Sequence, residues 1–262
     1  MRKFAFPVVF ALSALLYVSC SPSSKVLSIL SYNVRPRTAG ADDIRDYRNV
    51  ALFIESVRPD ITVLQQVDFT TGRADSIDAM TVFKDVAFVE SGFASNVAFD
   101  EHANGVAILT ENLPMDSWSV PLPGENGNPV ALVHEYSDCV IISVQFPIDE
   151  EEQIESIAVL DSVAVILATM RKPVLVAGSM FFTLNSDPFL LMSRNFMVLN
   201  KPWLPTYPSY APLMCLDYIW GYTGSGVTYN VLNSETLSIP RKSMHKPVIA
   251  AFEYKLPKKE RK

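Results

Sequence analysis

Five segments of this chain share one design, in which an apolar run gives way to a polar or turn-forming residue. They are Leu30 to Asn33, Pro59 to Gln66, Val174 to Phe181, Leu216 to Ile219, and Ser243-Met244-His245 with the Lys-Pro that follows. A strand buried on both faces reads as a near-continuous apolar run, and its polar end marks the rim of a site. A chain with several such segments is constrained to a sheet protein whose strand ends meet along one edge.

The intervening periodicities fit that constraint. Lys25 to Val34 alternates and ends at Pro36, which predicts a first strand. Ala41 to Arg58 places Ile44, Tyr47, Val50, Ala51, Ile54 and Val57 on one helical face, with Asp42 or Asp43 as a cap and Pro59 as terminator. Ile61 to Val67 is a buried strand, so the chain opens on a β-α-β unit. Ser76 to Phe83 is a short helix candidate. The middle is strand-rich, with Val86 to Phe93, Gly105 to Thr110, Asp116 to Val120, Val130 to Tyr136 and Val140 to Phe146 separated by turn clusters. Ile148 to Thr169 is a second long helix, acidic at residues 149 to 152 and apolar at Ile157, Leu160, Ala164 and Leu167. Pro173 to Ala177 is a strand and Asp187 to Ser193 a short helix. Met214 to Trp220, Val227 to Leu232 and Pro247 to Tyr254 are further strands. This order predicts two mostly antiparallel sheets packed face to face with helices outside, one α/β (α+β) domain over residues 25–254.

The ends carry different information. Arg2 and Lys3 precede an apolar stretch from Phe4 to Val18, so residues 1–19 read as an export signal. Cys20 directly after the cleavage point predicts a lipoprotein of the bacterial envelope, held to a membrane by lipid on Cys20 through a tether at 20–24. A plain secretory signal or an uncleaved anchor uses the same residues. Without residues 1–19, 20 basic residues remain of the 22, against 28 acidic ones, a formal charge of −8. Such a surface repels phosphate backbones and counts against a nucleic-acid partner. The basic run at 255–262 reads as a solvated tail. Cys139 and Cys215 lie in apolar strand-like runs and are expected to be buried free thiols, with no zinc-ligand spacing between them.

Taken in order, the five rim segments resemble the endonuclease/exonuclease/phosphatase superfamily, the metal-dependent fold of AP endonucleases, deoxyribonuclease I-like enzymes and inositol-phosphate phosphatases. Gly105 to Thr110, followed by Leu113-Pro114, matches a further segment of that family. The resemblance spans Lys25 to Tyr254 and implies a four-layer sandwich with its site at one edge. It also implies an asparagine at position 33, a glutamate at 66, a Thr-His pair at 144 and 145, Gly-Asp-x-Asn at 178 to 181, an aspartate at 217 and Asp-His at 244 and 245. Asn33, Asp217 and His245 match; Gln66, Val144, Gln145, Ser179, Phe181 and Met244 do not.

Each mismatch removes something the family chemistry needs. Magnesium favours oxygen ligands, usually with a carboxylate, and Gln66 keeps an oxygen without the charge. Ser179 is too weak a base at neutral pH to stand in for a water-activating carboxylate. Gln145 and Phe181 replace groups that would hydrogen-bond phosphate or water, and Met244 removes another carboxylate. Losing single preorganised donors already costs orders of magnitude in rate. The reading is therefore a domain without a resident metal or phosphoester hydrolysis, acting by binding a protein or small molecule at the degenerate cleft. Two alternatives stand beside it: an active phosphodiesterase or phosphatase using magnesium with Asn33, Asp217, His245 and Asp68, or a scaffold component of an envelope assembly. Asp217 and His245 are expected to persist as a hydrogen-bonded strut, and Asn33 to serve a turn. His102 and His134 read as surface or turn residues, and Glu150 to Glu152 as a helix start. Phe146, Met180, Phe181, Phe182 and Met244 sit at or beside the rim, with Trp203 and Thr206 to Ser209 nearby. They predict either a cleft turned to an apolar or aromatic partner or a cleft that has filled in.

Overall fold

The computed structural model describes residues 24–34, 43–69, 79–87, 90–95, 103–124, 129–238 and 243–257. The expected export signal at residues 1–19, Cys20, His102, the tail beyond 257 and the side chain of Asp68 lie outside that description.

The opening unit forms as its periodicity predicts. Strand β1 (Lys25–Asn33) pairs in parallel with β2 (Ile61–Phe69), and helix α1 (Asp43–Val57) crosses between them. Asp60 accepts hydrogen bonds from both the backbone N–H and the hydroxyl of Ser28, fastening the two strands at their starts. Helix α1 buries Tyr47, Val50, Ala51 and Ile54 against the outer face of this sheet. Helix α2 (Ala79–Ala87) lies beside it, with Phe83 edge-on to Tyr47 at 5.7 Å. Helix α2 extends past Phe83, where the sequence pattern predicts its end. Val86 and Ala87 belong to α2, and β3 (Glu90–Ser95) begins only afterwards. Val82, Phe83 and Val86 recur at helical spacing toward α1, so packing carries the helix one turn further.

The remaining elements are β4 (Ala103–Thr110), β5 (Asp116–Pro121), β6 (Val130–Glu135), β7 (Val140–Gln145), α3 (Glu150–Ala168), β8 (Val174–Ser179), α4 (Asp187–Met192), β9 (Phe196–Val198), β10 (Asp217–Tyr222), β11 (Thr228–Thr236) and β12 (Val248–Lys255). They complete two six-stranded sheets, ordered β11-β12-β1-β2-β4-β3 and β5-β6-β7-β8-β10-β9. Each sheet holds one parallel pair, β1–β2 in the first and β7–β8 in the second. Ile29, Val63 and Ile108 of one sheet meet Ile141, Leu175 and Ile219 of the other to fill the space between them. Helices α3 and α4 cover the outer face of the second sheet. Four layers result, helix, sheet, sheet and helix, as expected.

Helix α3 starts where its acidic run predicts. The Asp149 carboxylate accepts from the N–H groups of Glu151 and Glu152, and Glu150 to Glu152 occupy the dipole-positive first turn. Its predicted apolar face, Ile157, Leu160, Ala164 and Leu167, is buried. Among the described residues, no helix is long and apolar enough to cross a membrane.

Strand direction divides the molecule into two poles. Asn33, Ser179 and the start of β10 share one, as do the loop from 199 to 216 and the segment before β12. Lys25 pairs with Tyr254 at the opposite pole, so the chain enters β1 and leaves β12 side by side, remote from the rim.

Candidate functional site

The rim is built where the parallel pair β7–β8 ends. In the register Gln145 stands beside Ser179 and Val144 beside Gly178. A Cβ on Gly178 would sit 1.8 Å from the Val144 carbonyl oxygen, so only glycine allows this approach. That contact delivers Ser179 to the inter-sheet face, opposite Asp217 across the antiparallel β8–β10 pair.

Ser179 then joins both sheets. Its hydroxyl donates to Asp217 Oδ1 at 2.5 Å and accepts from Asn33 Nδ2 at 3.0 Å. Thr206 donates to Asp217 Oδ2 at 2.5 Å, and His245 Nδ1 donates to both carboxylate oxygens at 3.1 and 2.9 Å. The Thr206 hydroxyl also accepts from the Leu216 N–H, which locks the 199–216 loop against the start of β10. Asn200 bridges from that loop to the backbone of Asp217 and Ile219. Ser243 donates to the carbonyl of Asn33 and accepts the His245 N–H, tying the segment before β12 to the end of β1. Asn33, Ser179, Thr206, Asp217 and His245 are all buried, so every exchange here occurs away from bulk water, where such bonds are strong.

Both oxygens of the Asp217 carboxylate are engaged: of its about four lone-pair directions, three donor protons, one each from Ser179, Thr206 and His245, occupy most, with the single Nδ1–H of His245 shared between the two oxygens. The Asp–His pair expected from the sequence is present as a strut. The Asn33 side chain spans the two sheets to reach Ser179. Phe181 takes φ of 57°, an uncommon conformation for a bulky residue, and sets its ring edge-on to His245 at 6.0 Å. Tyr207 flanks the same imidazole at 4.9 Å.

The other substituted positions, Gln66, Gln145 and Met244, lie around this network. Gln66 is half-buried with φ of 57° at a bulge in β2, next to the Gln65 that pairs with Asn33. Gln145 ends β7 with its Oε1 buried and without a partner. Met244 is held by its backbone, whose carbonyl accepts the Ser209 N–H. Phe146, Met180 and Phe182, expected at the rim, pack instead between the second sheet and α3 with α4. Their apolar bulk is better buried there than displayed at a mouth. Trp203 is 67 % exposed on the 199–216 loop.

Two further expectations meet different outcomes. Cys139 and Cys215 are buried free thiols. Burial pushes both up to about 12, so neither supplies a thiolate at neutral pH. His134, expected at a surface or turn, is buried on β6. Leu132, His134 and Tyr136 alternate onto the inter-sheet face, where His134 Nδ1 meets the Tyr136 hydroxyl at 3.0 Å. Burial drives its pKa down to about 4. Asn200 was not foreseen at all, and Thr206 and Ser243, though near or within a rim motif, were given no role, since a lone Thr, Asn or Ser does not announce which group it will bond.

A divalent cation does not fit this donor set. Asp217 is the carboxylate of the network and both its oxygens already accept hydrogen bonds, while the neighbouring oxygens belong to neutral serine, threonine and amide groups. Among the described residues, no three His, Cys, Asp or Glu side chains converge on one point.

No protein-family model matches the sequence, and no curated protein matches it. Solved structures do resemble the fold. An endonuclease/exonuclease/phosphatase family protein from Bacteroides thetaiotaomicron superposes with a TM-score of 0.71 at 13% identity, covering 92% of this chain and 100% of its own. A counterpart from Bacteroides vulgatus gives 0.70 at 15% identity, covering 89% of this chain and 100% of its own. A mannosyl-6-phosphatase from Bacteroides thetaiotaomicron gives 0.68 at 12% identity, with 86% and 99% covered. This chain therefore has the fold of the endonuclease/exonuclease/phosphatase superfamily, the deoxyribonuclease I-like α/β sandwich.

Proposed function

We propose that this chain is an envelope lipoprotein, lipidated at Cys20, whose endonuclease/exonuclease/phosphatase-like domain has lost metal-dependent phosphoester hydrolysis and acts as a binding module. The observation that supports the loss is the closure of hydrogen bonds around Asp217. Ser179 stands where the resemblance places a water-activating carboxylate, and its hydroxyl is spent on Asp217 and Asn33. His245 spends Nδ1 on the same carboxylate. A serine hydroxyl is too weak a base to activate water at neutral pH in place of a carboxylate.

The mature protein, with magnesium or manganese, is expected to leave bis-p-nitrophenyl phosphate, DNA and inositol phosphates intact. Turnover abolished both by EDTA and by His245→Ala overturns the reading. Restoring all five positions together (Gln66→Glu, Gln145→His, Ser179→Asp, Phe181→Asn, Met244→Asp) is expected to bring back cation binding, read as a manganese-dependent rise in Tm. The anchor is tested separately: Cys20→Ala should move the protein from the membrane to the soluble fraction.

A further inference from the structure

Beneath the Asp217 network the inter-sheet gap holds a second polar group. On β7, Ile141 lines the gap between the sheets, so Ser143 and Gln145 face the same way at two-residue intervals. On β2, Ile61 and Val63 line it from the other side, and Gln65 follows them. Strand β2 packs across the gap against β7 and β8. Gln65 and Ser143 are 0% exposed. Gln65 Oε1, Gln145 Oε1 and Ser143 Oγ are each buried without a hydrogen-bond partner. Gln65 Nε2 donates to Ser31 Oγ on the neighbouring strand β1 at 3.4 Å, which leaves its Oε1 as the unpaired end of the amide.

Orphaned buried polar atoms are costly, and these three belong to strands that pack against each other across the gap. Their requirements are complementary. Two amide oxygens need donors, and one serine hydroxyl needs an acceptor. A single water molecule has two protons to give and lone pairs to receive, so it satisfies all three atoms at once. A monovalent cation would find the same oxygens but no neighbouring carboxylate with free lone pairs to balance its charge. We propose that Gln65, Ser143 and Gln145 enclose a binding site for one buried water, a bridge between the two sheets that holds Gln145 at the rim from below.

This inference stands apart from the binding reading and is tested on structure and stability. A crystal structure at about 1.5 Å should show one solvent peak within hydrogen-bond distance of all three atoms. Ser143→Ala supplies the second measurement, through the sign of its effect. If Ser143 donates to a water, its loss lowers Tm by about 2–4 °C; if the hydroxyl is orphaned, its removal leaves Tm unchanged or raises it. Both results must hold. Ser143 bonded directly to either amide with no density between, an anomalous peak at the position after a rubidium soak, or an unchanged or raised Tm for Ser143→Ala each overturns the proposal.

Discussion

At the scale of single residues, the rim is governed by which oxygens carry charge. Ser179→Asp would set a second carboxylate against Asp217 Oδ1, where the serine hydroxyl now donates at 2.5 Å. Two like charges in a buried site repel, so the variant is expected to lose about 3 kcal/mol without added metal. Manganese should return part of that loss, read as a rise in Tm that the unsubstituted protein does not show. His134 makes a second residue-scale prediction. Its folded pKa, down to about 4, lies below the unfolded value of 6.5. Above pH 6.5 both states are neutral and His134 is silent. As pH falls from about 6.5 toward about 4, the unfolded chain binds the proton first, so stability drops across that window. His134 Nε2 is buried without a partner, so no acceptor awaits the added proton. His134→Gln is expected to flatten the dependence of urea midpoint on pH within that window while leaving the slope below pH 4 to the carboxylates.

At the scale of elements, the Gly178 contact decides how β7 and β8 sit together. Gly178→Ala would drive a methyl group onto the Val144 carbonyl oxygen 1.8 Å away. Backbone cannot yield as a flexible side chain does, and the expected cost is about 3 kcal/mol or more, measured by denaturant unfolding. Elements with a strong single period were legible in the sequence: α1, α3 and the buried strands β2, β7 and β8 lie within a few residues of expectation. The α2–β3 boundary was not, because Val82, Phe83 and Val86 suit either state until α1 is present to receive them. His134 was misplaced because a lone histidine has no periodic signal, whereas the strand parity of Leu132 and Tyr136 decides its direction. The structure brings Asn33, Ser179, Asp217 and His245 of the rim motifs together, since Asn33 and Ser179 close buried strands while Asp217 opens one and His245 lies just before another. The Thr206, Asn200 and Ser243 contacts depend on loops whose paths no local pattern encodes.

At the scale of the whole molecule, the fold persists with solved structures at 12–15% identity, so the layered packing tolerates extensive exchange of side chains. What the sandwich preserves is a geometry in which strand ends from both sheets meet, and that geometry is indifferent to the chemistry placed there. The pairing of Lys25 with Tyr254 sets a direction on this arrangement. A leash at Cys20 would attach the body by its base, leaving the length of β1, about 30 Å at 3.3 Å per residue, between the lipid and the Asn33 rim. Under the lipoprotein proposal the mouth looks outward into the aqueous compartment, so what it captures should arrive by diffusion from that side and not from among the lipids of the leaflet that holds it.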